Sequence, residues 1–496
     1  MKHINKFYFL LILTSLFYVS CELFDRSPKT VVFKNVTSEV GIGRRGGLGS
    51  TSAFNDFNSD GYLDLIFSIK DRKKDTKDVL LFINSDGKKF IDNSEKLNII
   101  REPLRSVSWG DFDNDDYVDI VFGTIRAASK PVLYKNINNN KFVDISEDSN
   151  LDILSGATGH TVWVDYNKDG YLDLFHVASR QSVLYKNNRD GTFSDVTYDV
   201  DLGEETRGKA AAWFDYNNDT YPDLYLATYD TNRLFKNNGD GTFSNVTKQA
   251  GVGGGKIWRS SAVCVGDLNN DGFEDIYVVN ISSPRNALYL NNGNGTFTDI
   301  TKQSGTSDVG DGRTCAWIDI NADGYLDLYA SNHVHKTKLF LNNKGKSEFI
   351  DVAEESGLAL ATDVFSTTWG DYDNDGFIDV FMNGHGGIIL AKNMGNNNKS
   401  VTINLIGDGA FTNRSAIGSI AVLKTQKKSQ IRRVSGGKGC CEQDMLPLYF
   451  GVGSESMADL TVRWTSGKIC EFKDINIDSN IRLKIFEHGC KLNYSD

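Results

Sequence analysis

The chain has 496 residues, with 65 acidic against 54 basic side chains and a formal net charge of −11. That balance, without any dense run of Lys or Arg, excludes nucleic acid as a partner. Hydrophobic residues make up 40% of the chain, and Gly is abundant (47) where Pro is scarce (6), a composition that suits a turn-rich folded protein and excludes a disordered one.

Residues 1–20 read as a targeting segment. Lys2 and Lys6 form a basic start, and Phe7 to Val19 is an apolar run too short to span a bilayer. Ser20-Cys21 follows, a small residue then Cys, which predicts a lipid-modified Cys21 as the first residue of the mature chain. The expectation is an exported bacterial lipoprotein at the cell envelope, with the membrane as a partner through that anchor. Ordinary secretory cleavage nearby is the alternative. Residues 21–30 read as a tether.

From Asp56 onward the same nine-residue acidic loop recurs seven times at intervals of 50 to 55 residues. Oxygen-bearing side chains stand at positions 1, 3, 5 and 9, and position 7 contributes its backbone carbonyl. This spacing wraps hard oxygen ligands around one cation, so calcium is the expected ion. The predicted ligands are Asp56, Asn58, Asp60, Tyr62 and Asp64 in loop 1, and Asp111, Asp113, Asp115, Tyr117 and Asp119 in loop 2. Loop 3 supplies Asp165, Asn167, Asp169, Tyr171 and Asp173; loop 4 supplies Asp215, Asn217, Asp219, Tyr221 and Asp223. Loop 5 supplies Asp267, Asn269, Asp271, Phe273 and Asp275, and loop 6 Asp319, Asn321, Asp323, Tyr325 and Asp327. Loop 7 supplies Asp371, Asp373, Asp375, Phe377 and Asp379.

Position 6 is Gly except for Asp116 and Thr220. A β-branched residue adopts positive φ poorly, so metal is expected in loops 1, 3, 5, 6 and 7, then in loop 2, and least in loop 4. The total is about five to seven Ca2+ ions. Such ions would leave the acidic chain nearly neutral, and together they would stabilise the fold on the scale of a whole domain.

Short apolar runs flank each loop, and Asp-Gly or Asn-Gly turns follow, as in Leu234-Phe-Lys-Asn-Asn-Gly-Asp-Gly-Thr-Phe243. Each unit therefore reads as four strands, and the fold class as all-β. The predicted architecture is a seven-bladed β-propeller over 31–397. The seventh unit lacks a fourth strand, and Phe33-Lys-Asn-Val-Thr37 is expected to complete it and close the ring. Trp109, Trp163, Trp213, Trp317 and Trp369, two places before their loops, read as packing between blades. Residues 398–487 alternate apolar and polar positions and predict a small β-sandwich or barrel, with turns at Gly436-Gly437 and Ser466-Gly467 that need no chemical role. Residues 488–496 read as a tail.

The acidic hairpins, preceded by Trp-x-Asp and followed by Asn-Gly-Asp-Gly-Thr-Phe, resemble FG-GAP/VCBS repeats, which integrin α-subunit propellers also carry. Asn413-Arg-Ser-Ala-Ile-Gly418, Leu448-Tyr-Phe-Gly-Val-Gly453 and Val462-Arg-Trp-Thr-Ser-Gly467 resemble the ASPIC/UnbV domain of the cartilage acidic protein-like family. Val452 stands where that family usually has Leu, and Thr465 where it has Pro. The resemblance implies extracytoplasmic calcium binding and adhesion, and it implies no reaction.

Six cysteines remain, four of them in the last sixty residues. Cys264 and Cys315 stand in registers that differ by one and are expected as buried thiols. Cys440 or Cys441 is expected to bridge to Cys470 or Cys490.

Strand direction puts the acidic loops on one face and the connections between blades on the other. On that second face Arg105, His160, Arg207, Arg259, Arg313, His333, His335 and His385 predict a basic, imidazole-lined mouth for a glycan or protein ligand. His176, Asn280, Asn332 and Asn383 stand on the same rim. His333-x-His335 could also hold a transition metal. No nucleophile elbow, zincin helix or phosphate loop occurs, so no catalytic residue is assigned. The reading is a lipid-anchored, calcium-binding adhesion or ligand-binding module. The alternatives are a polysaccharide lyase or hydrolase with its site opposite the calcium face, and a non-catalytic subunit of an envelope complex.

Overall fold

Apolar runs that enter and leave each acidic loop pair with one another, so every loop caps a hairpin of two buried strands. In unit 4 these are Gly208–Phe214 and Asp223–Thr228, followed by Arg233–Asn237 and Phe243–Asn245, hydrogen-bonded in that order. Both inner strands are buried along their whole length, because neighbouring sheets cover both faces, which explains continuous apolar sequence in place of alternation. The computed structural model describes residues 31–495 apart from 44–47, 72–75, 97–103, 125–129, 139–140, 153–158, 205, 256–258, 282–284, 334, 361–362 and 439–441. Cys21, Cys440 and Cys441 lie outside the described residues.

Among the described residues seven sheets built on such an antiparallel four-strand unit follow one another along the chain. The sheet of unit 7 draws its outer strand from the N-terminal region: Phe33–Asn35 pairs with Gly387–Asn393, Phe33 opposite Asn393. Phe33 is buried, its ring edge-on to Trp369 at 6.4 Å. Asn side chains at the ends of the third strands join adjacent units. Asn187 Nδ2 donates to Leu172 O of its own loop and to Phe112 O of the loop before it. Asn237, Asn291, Asn342 and Asn393 repeat the second bond to Tyr166, Tyr216, Leu268 and Ile320. Asn84 of unit 1 makes it to Tyr372 O of unit 7, at 2.7 Å. The fold is all-β and propeller-like.

Trp109, Trp163, Trp213 and Trp369 are buried, and Trp317 is half-buried, between sheets as their register implies. Cys264 and Cys315 correct an expectation, since they form a disulfide between the inner strands of units 5 and 6. Neighbouring sheets present opposite faces to one another, so the one-residue offset in register turns the two side chains toward each other within one buried cluster.

The C-terminal region forms two four-stranded sheets. One runs Leu448–Gly453, Lys399–Ile406, Ile481–Phe486, Lys491–Ser495; the other runs Ser429–Arg433, Ile420–Lys424, Met457–Arg463, Ile469–Asn476. The expected tail is thus largely a strand, paired along Arg482–Phe486 and tied down by a Cys470–Cys490 disulfide. That bridge also corrects the pairing expected for Cys440 or Cys441. Isolated polar positions hid this edge strand, of which only Leu492 is more than marginally apolar and packed.

The C-terminal core is not separate. Val401, Phe450, Leu460 and Trp464 share one buried cluster with Phe112, Trp163 and Leu172 of units 2 and 3. Between the two sheets, the segment after Arg433 reaches into the repeats. Trp163 N–H donates to Gly436 O at 3.0 Å, Trp109 N–H to Gln443 Oε1, and Trp369 N–H to Asp444 Oδ1 at 2.9 Å. Thr314 Oγ1 bonds the Glu442 carboxylate. Glu442–Gln443 then adds to the inner edge of unit 1, parallel to Leu48–Asn55. One segment therefore touches inner strands of units 1, 2, 3, 6 and 7.

Gly436, expected to be only a turn, is a packing position, because a Cβ there would lie 2.0 Å from Trp163 O. Gly436→Val should destabilise the protein by about 1–3 kcal/mol through overpacking, read as a melting temperature lowered by several degrees with far-UV circular dichroism unchanged at low temperature.

Candidate metal centres

The seven acidic loops share one hydrogen-bond scheme. At position 1, Asp Oδ1 accepts from the position-5 N–H at 2.9–3.1 Å, and Oδ2 from the position-6 N–H at 2.7–3.1 Å. The position-7 N–H donates to Oδ1 of the position-5 Asp in every loop. At position 9, Asp accepts from the position-2 N–H on one oxygen. On the other it accepts from the N–H of the third-strand Asn, at 2.7–2.8 Å. The position-9 carboxylate is therefore also a structural pin between loop and sheet.

This scheme needs two left-handed residues per loop. Position 6 is one, including Asp116 (φ 73°) and Thr220 (φ 76°); position 4 is the other, from Ser59 (φ 59°) to Asn374 (φ 59°). The second was missed in the sequence, although Asn at position 4 in loops 2, 4, 5 and 7 carried the signal. Thr220 keeps the turn, and its N–H donates to Asp215 at 2.7 Å.

Burial is the dominant electrostatic fact. It pushes Asp64 and Asp223 up to about 8, Asp111, Asp165 and Asp371 to about 7, and Asp267 to about 6, with backbone donors and neighbouring carboxylates as smaller effects. Asp119, Asp173, Asp275, Asp327 and Asp379 rise further for the same reason. Among the described loop residues two buried carboxylate oxygens, Asp113 Oδ1 and Asp373 Oδ1, have no hydrogen-bond partner. In three loops the carboxylates converge with ligand atoms all within 4.8 Å: Asp111/Asp113/Asp115, Asp215/Asp219/Asp223 and Asp371/Asp373/Asp379. Loop 4, placed last by sequence, is one of these three. Hard oxygen donors buried together at that separation fit a calcium ion.

The C-terminal sheets lie against this loop face, which sequence reasoning did not foresee. Arg433 pairs with Glu274 at 2.7 Å and faces Asp215. Arg432 faces Asp267 and Asp319, and Arg414 pairs with Asp116 at 3.0 Å. Gly451 N–H donates to Asp319 Oδ2 at 3.1 Å, Tyr449 OH to Gly376 O at 2.9 Å, and Asn480 Nδ2 to Asp375 O at 2.7 Å. Lys135 and Lys392, from third strands, pair with the position-3 and position-5 carboxylates of loops 2 and 7.

On the opposite face the expected mouth is only partly assembled. His160 is buried, and this corrects its placement there: it lies in an inner strand against His176, whose buried imidazole is pushed down to about 3. Asn280, Asn332 and Asn383 are buried and hydrogen-bonded within the repeats. Arg207 remains exposed beside Tyr229 and Asp230, Arg259 and His335 are exposed, and Arg105 is half-buried. Arg313 lies over the Phe365 ring, while His333 and His385 meet at Asp363. His335 is not part of that meeting.

Serial four-stranded sheets capped by acidic hairpins define a repeat protein of the propeller type, with a β-sandwich docked on its loop face. The chain belongs to the family of FG-GAP-like repeat proteins that carry an ASPIC and UnbV domain. The FG-GAP-like repeat matches residues 56–122, 111–176, 165–226, 215–278, 267–330 and 319–382, and ASPIC and UnbV matches 409–489. Each repeat match runs from one acidic loop through the next. The chain is similar to cartilage acidic protein 1 of Xenopus tropicalis, 27% identical over 290 residues, which cover 44% of this chain and 44% of that protein. With the Mus musculus protein it shares 26% over 303 residues, 48% of this chain and 46% of that one. The matched stretch thus spans less than half of either relative.

Among solved structures, an Agrocybe aegerita lectin described for specific recognition of non-reducing terminal N-acetylglucosamine aligns with TM-score 0.44 at 18% identity, over 69% of this chain and 94% of that one. Saccharomyces cerevisiae Sqt1 aligns with TM-score 0.44 at 11% identity, over 74% and 99%.

Raised carboxyl pKa values penalise the ionised form in the folded state, so metal-free protein should lose stability as pH rises from about 4 to about 8. Bound calcium requires those same groups ionised, so its stabilisation should grow over that interval. Thermal melts of metal-free and calcium-loaded protein across this range should therefore diverge with rising pH; parallel curves would show that the loops do not hold the ion.

Proposed function

We propose that this chain is an exported, lipid-anchored ligand-binding or adhesion module, built as a closed seven-bladed propeller stabilised by calcium. The observation that carries the reading is the docking of the C-terminal sheets on the acidic loops. That docking commits the loop face to internal contacts and leaves the opposite face, with its connecting segments, for recognition. Closure is supported by the Phe33–Asn35 strand in unit 7 and by the Asn84 bond from unit 1 to unit 7. Export is supported by two disulfides, Cys264–Cys315 and Cys470–Cys490, which persist in oxidising compartments. Among the described residues no helix is long and apolar enough to cross a membrane.

A groove of about 650 Å³, lined by residues including Glu204, Arg233, Asn245 and Lys248, lies between the connections that enter and leave unit 4; there Glu204 accepts from Arg233 and Asn245, a network a polyhydroxyl ligand would have to enter by exchange. Exposed Arg207 and Arg259 add positive charge for carboxylated groups.

The test is a screen of immobilised glycans against the full chain in millimolar calcium. Retention without product formation is expected, and Arg207→Ala with Arg259→Ala should weaken it by about tenfold. Release of new reducing or unsaturated ends would replace this reading with an enzyme. A stoichiometric protein partner from the envelope, with no glycan retained, would replace it with a complex subunit.

A further inference from the structure

Four consecutive units share one backbone contact on the face opposite the acidic loops. The residue following the second strand donates its N–H to the carbonyl of a residue just before the inner strand. The pairs are Tyr229 with Arg207, Ile281 with Arg259, His333 with Asp311, and His385 with Asp363, at 2.7–3.1 Å. Units 4 and 5 make it without any imidazole or carboxylate of the kind found further on. The scaffold therefore needs neither His nor Asp at these places.

In units 6 and 7 three such side chains nevertheless converge. His333 Nδ1 faces one oxygen of Asp363, and His385 Nδ1 faces the other. One ligand atom from each lies within 4.8 Å of the rest, the scale set by donors that share a transition-metal ion, about 3–4 Å apart for bonds near 2 Å. The ligands come from two units: His333 from unit 6, Asp363 and His385 from unit 7. Asp363 is held at φ 62°, an uncommon conformation for a residue with a side chain and one that concentrates at functional sites. Phe365 walls one side, its ring 4.4 Å from that of His385 and 6.1 Å from that of His333, with the Arg313 guanidinium 4.8 Å over it. Side-chain exposures of 32% for His333, 17% for Asp363 and 35% for His385 leave the other side open to solvent.

We infer that His333, Asp363 and His385 form a binding site for a divalent transition-metal ion, with open coordination positions facing solvent. Two imidazoles and one carboxylate select a zinc- or iron-type ion over calcium, whose ligands are all oxygen. The site is separate in chemistry and place from the acidic loops. Three protein ligands with free positions can carry a water or an anionic group of a ligand.

Cobalt(II) titration of the full chain, with the acidic loops kept supplied by millimolar calcium, tests the assignment through visible ligand-field absorption and calorimetry. One calcium-resistant equivalent is expected. His333→Ala and His385→Ala should each weaken it by at least about tenfold, and Asp363→Asn should do likewise. His488→Ala, an exposed histidine of the C-terminal sheets, should leave it unchanged. Melting temperatures in calcium establish that each variant is folded. A wild-type protein with no such equivalent, or a folded His333→Ala/His385→Ala variant that retains it, overturns the site.

Discussion

Buried carboxylates at the ends of the inner strands are the constraint around which the rest of this structure is arranged. Each loop buries its ninth aspartate, and all but loop 1, whose Asp56 is half-buried, bury the first as well, where ionisation is costly. Backbone donors meet part of that cost, and they also define the loop: the same hydrogen bonds that hold the acids fix two left-handed residues and tie the loop to the third-strand Asn. Charge burial and hairpin geometry are thus one arrangement seen from two sides. We propose that a cation completes it, since hard oxygen donors at this spacing suit calcium.

The C-terminal sheets answer the same constraint differently. They bring Arg414, Arg432 and Arg433 to the acidic rim and satisfy loop carbonyls through Tyr449 and Asn480. The Arg433–Glu274 pair is well desolvated, so its weight lies in orientation and register more than in net stability. The consequence is a division of surfaces. One face of the repeats is spent on internal contact, and the other keeps the connecting segments, where Arg207, Arg259 and the His333–Asp363–His385 group are found.

Much of this was legible from residue order, because the repeats state it seven times. The loop period, the four strands per unit and the borrowed N-terminal strand all follow from local patterns that the structure reproduces. What escaped is non-local or register-dependent. Cys264 and Cys315 meet because facing sheets present opposite faces, so a one-residue offset joins their side chains where a single-chain count sets them apart. His160 faces inward although its neighbours in sequence suggest a rim. Thr220 adopts a turn its side chain disfavours, since Asp215 holds its N–H. Gly436 to Asp444 reads as an ordinary linker, and nothing in its composition announces contacts with five units.

The borrowed strand also bears on how the molecule is made. Phe33–Asn35 precedes every other strand of the repeats in the chain, yet its partner strand, Gly387–Asn393, comes after nearly all of them. Pairing across so long a separation is entropically slow, so the early units emerge while Phe33–Asn35 still lacks its partner strand. The pairing of Phe33–Asn35 with unit 7 and the contacts of the segment after Arg433 with five units both require late-made residues, which couples translation order to the final cooperativity of the fold.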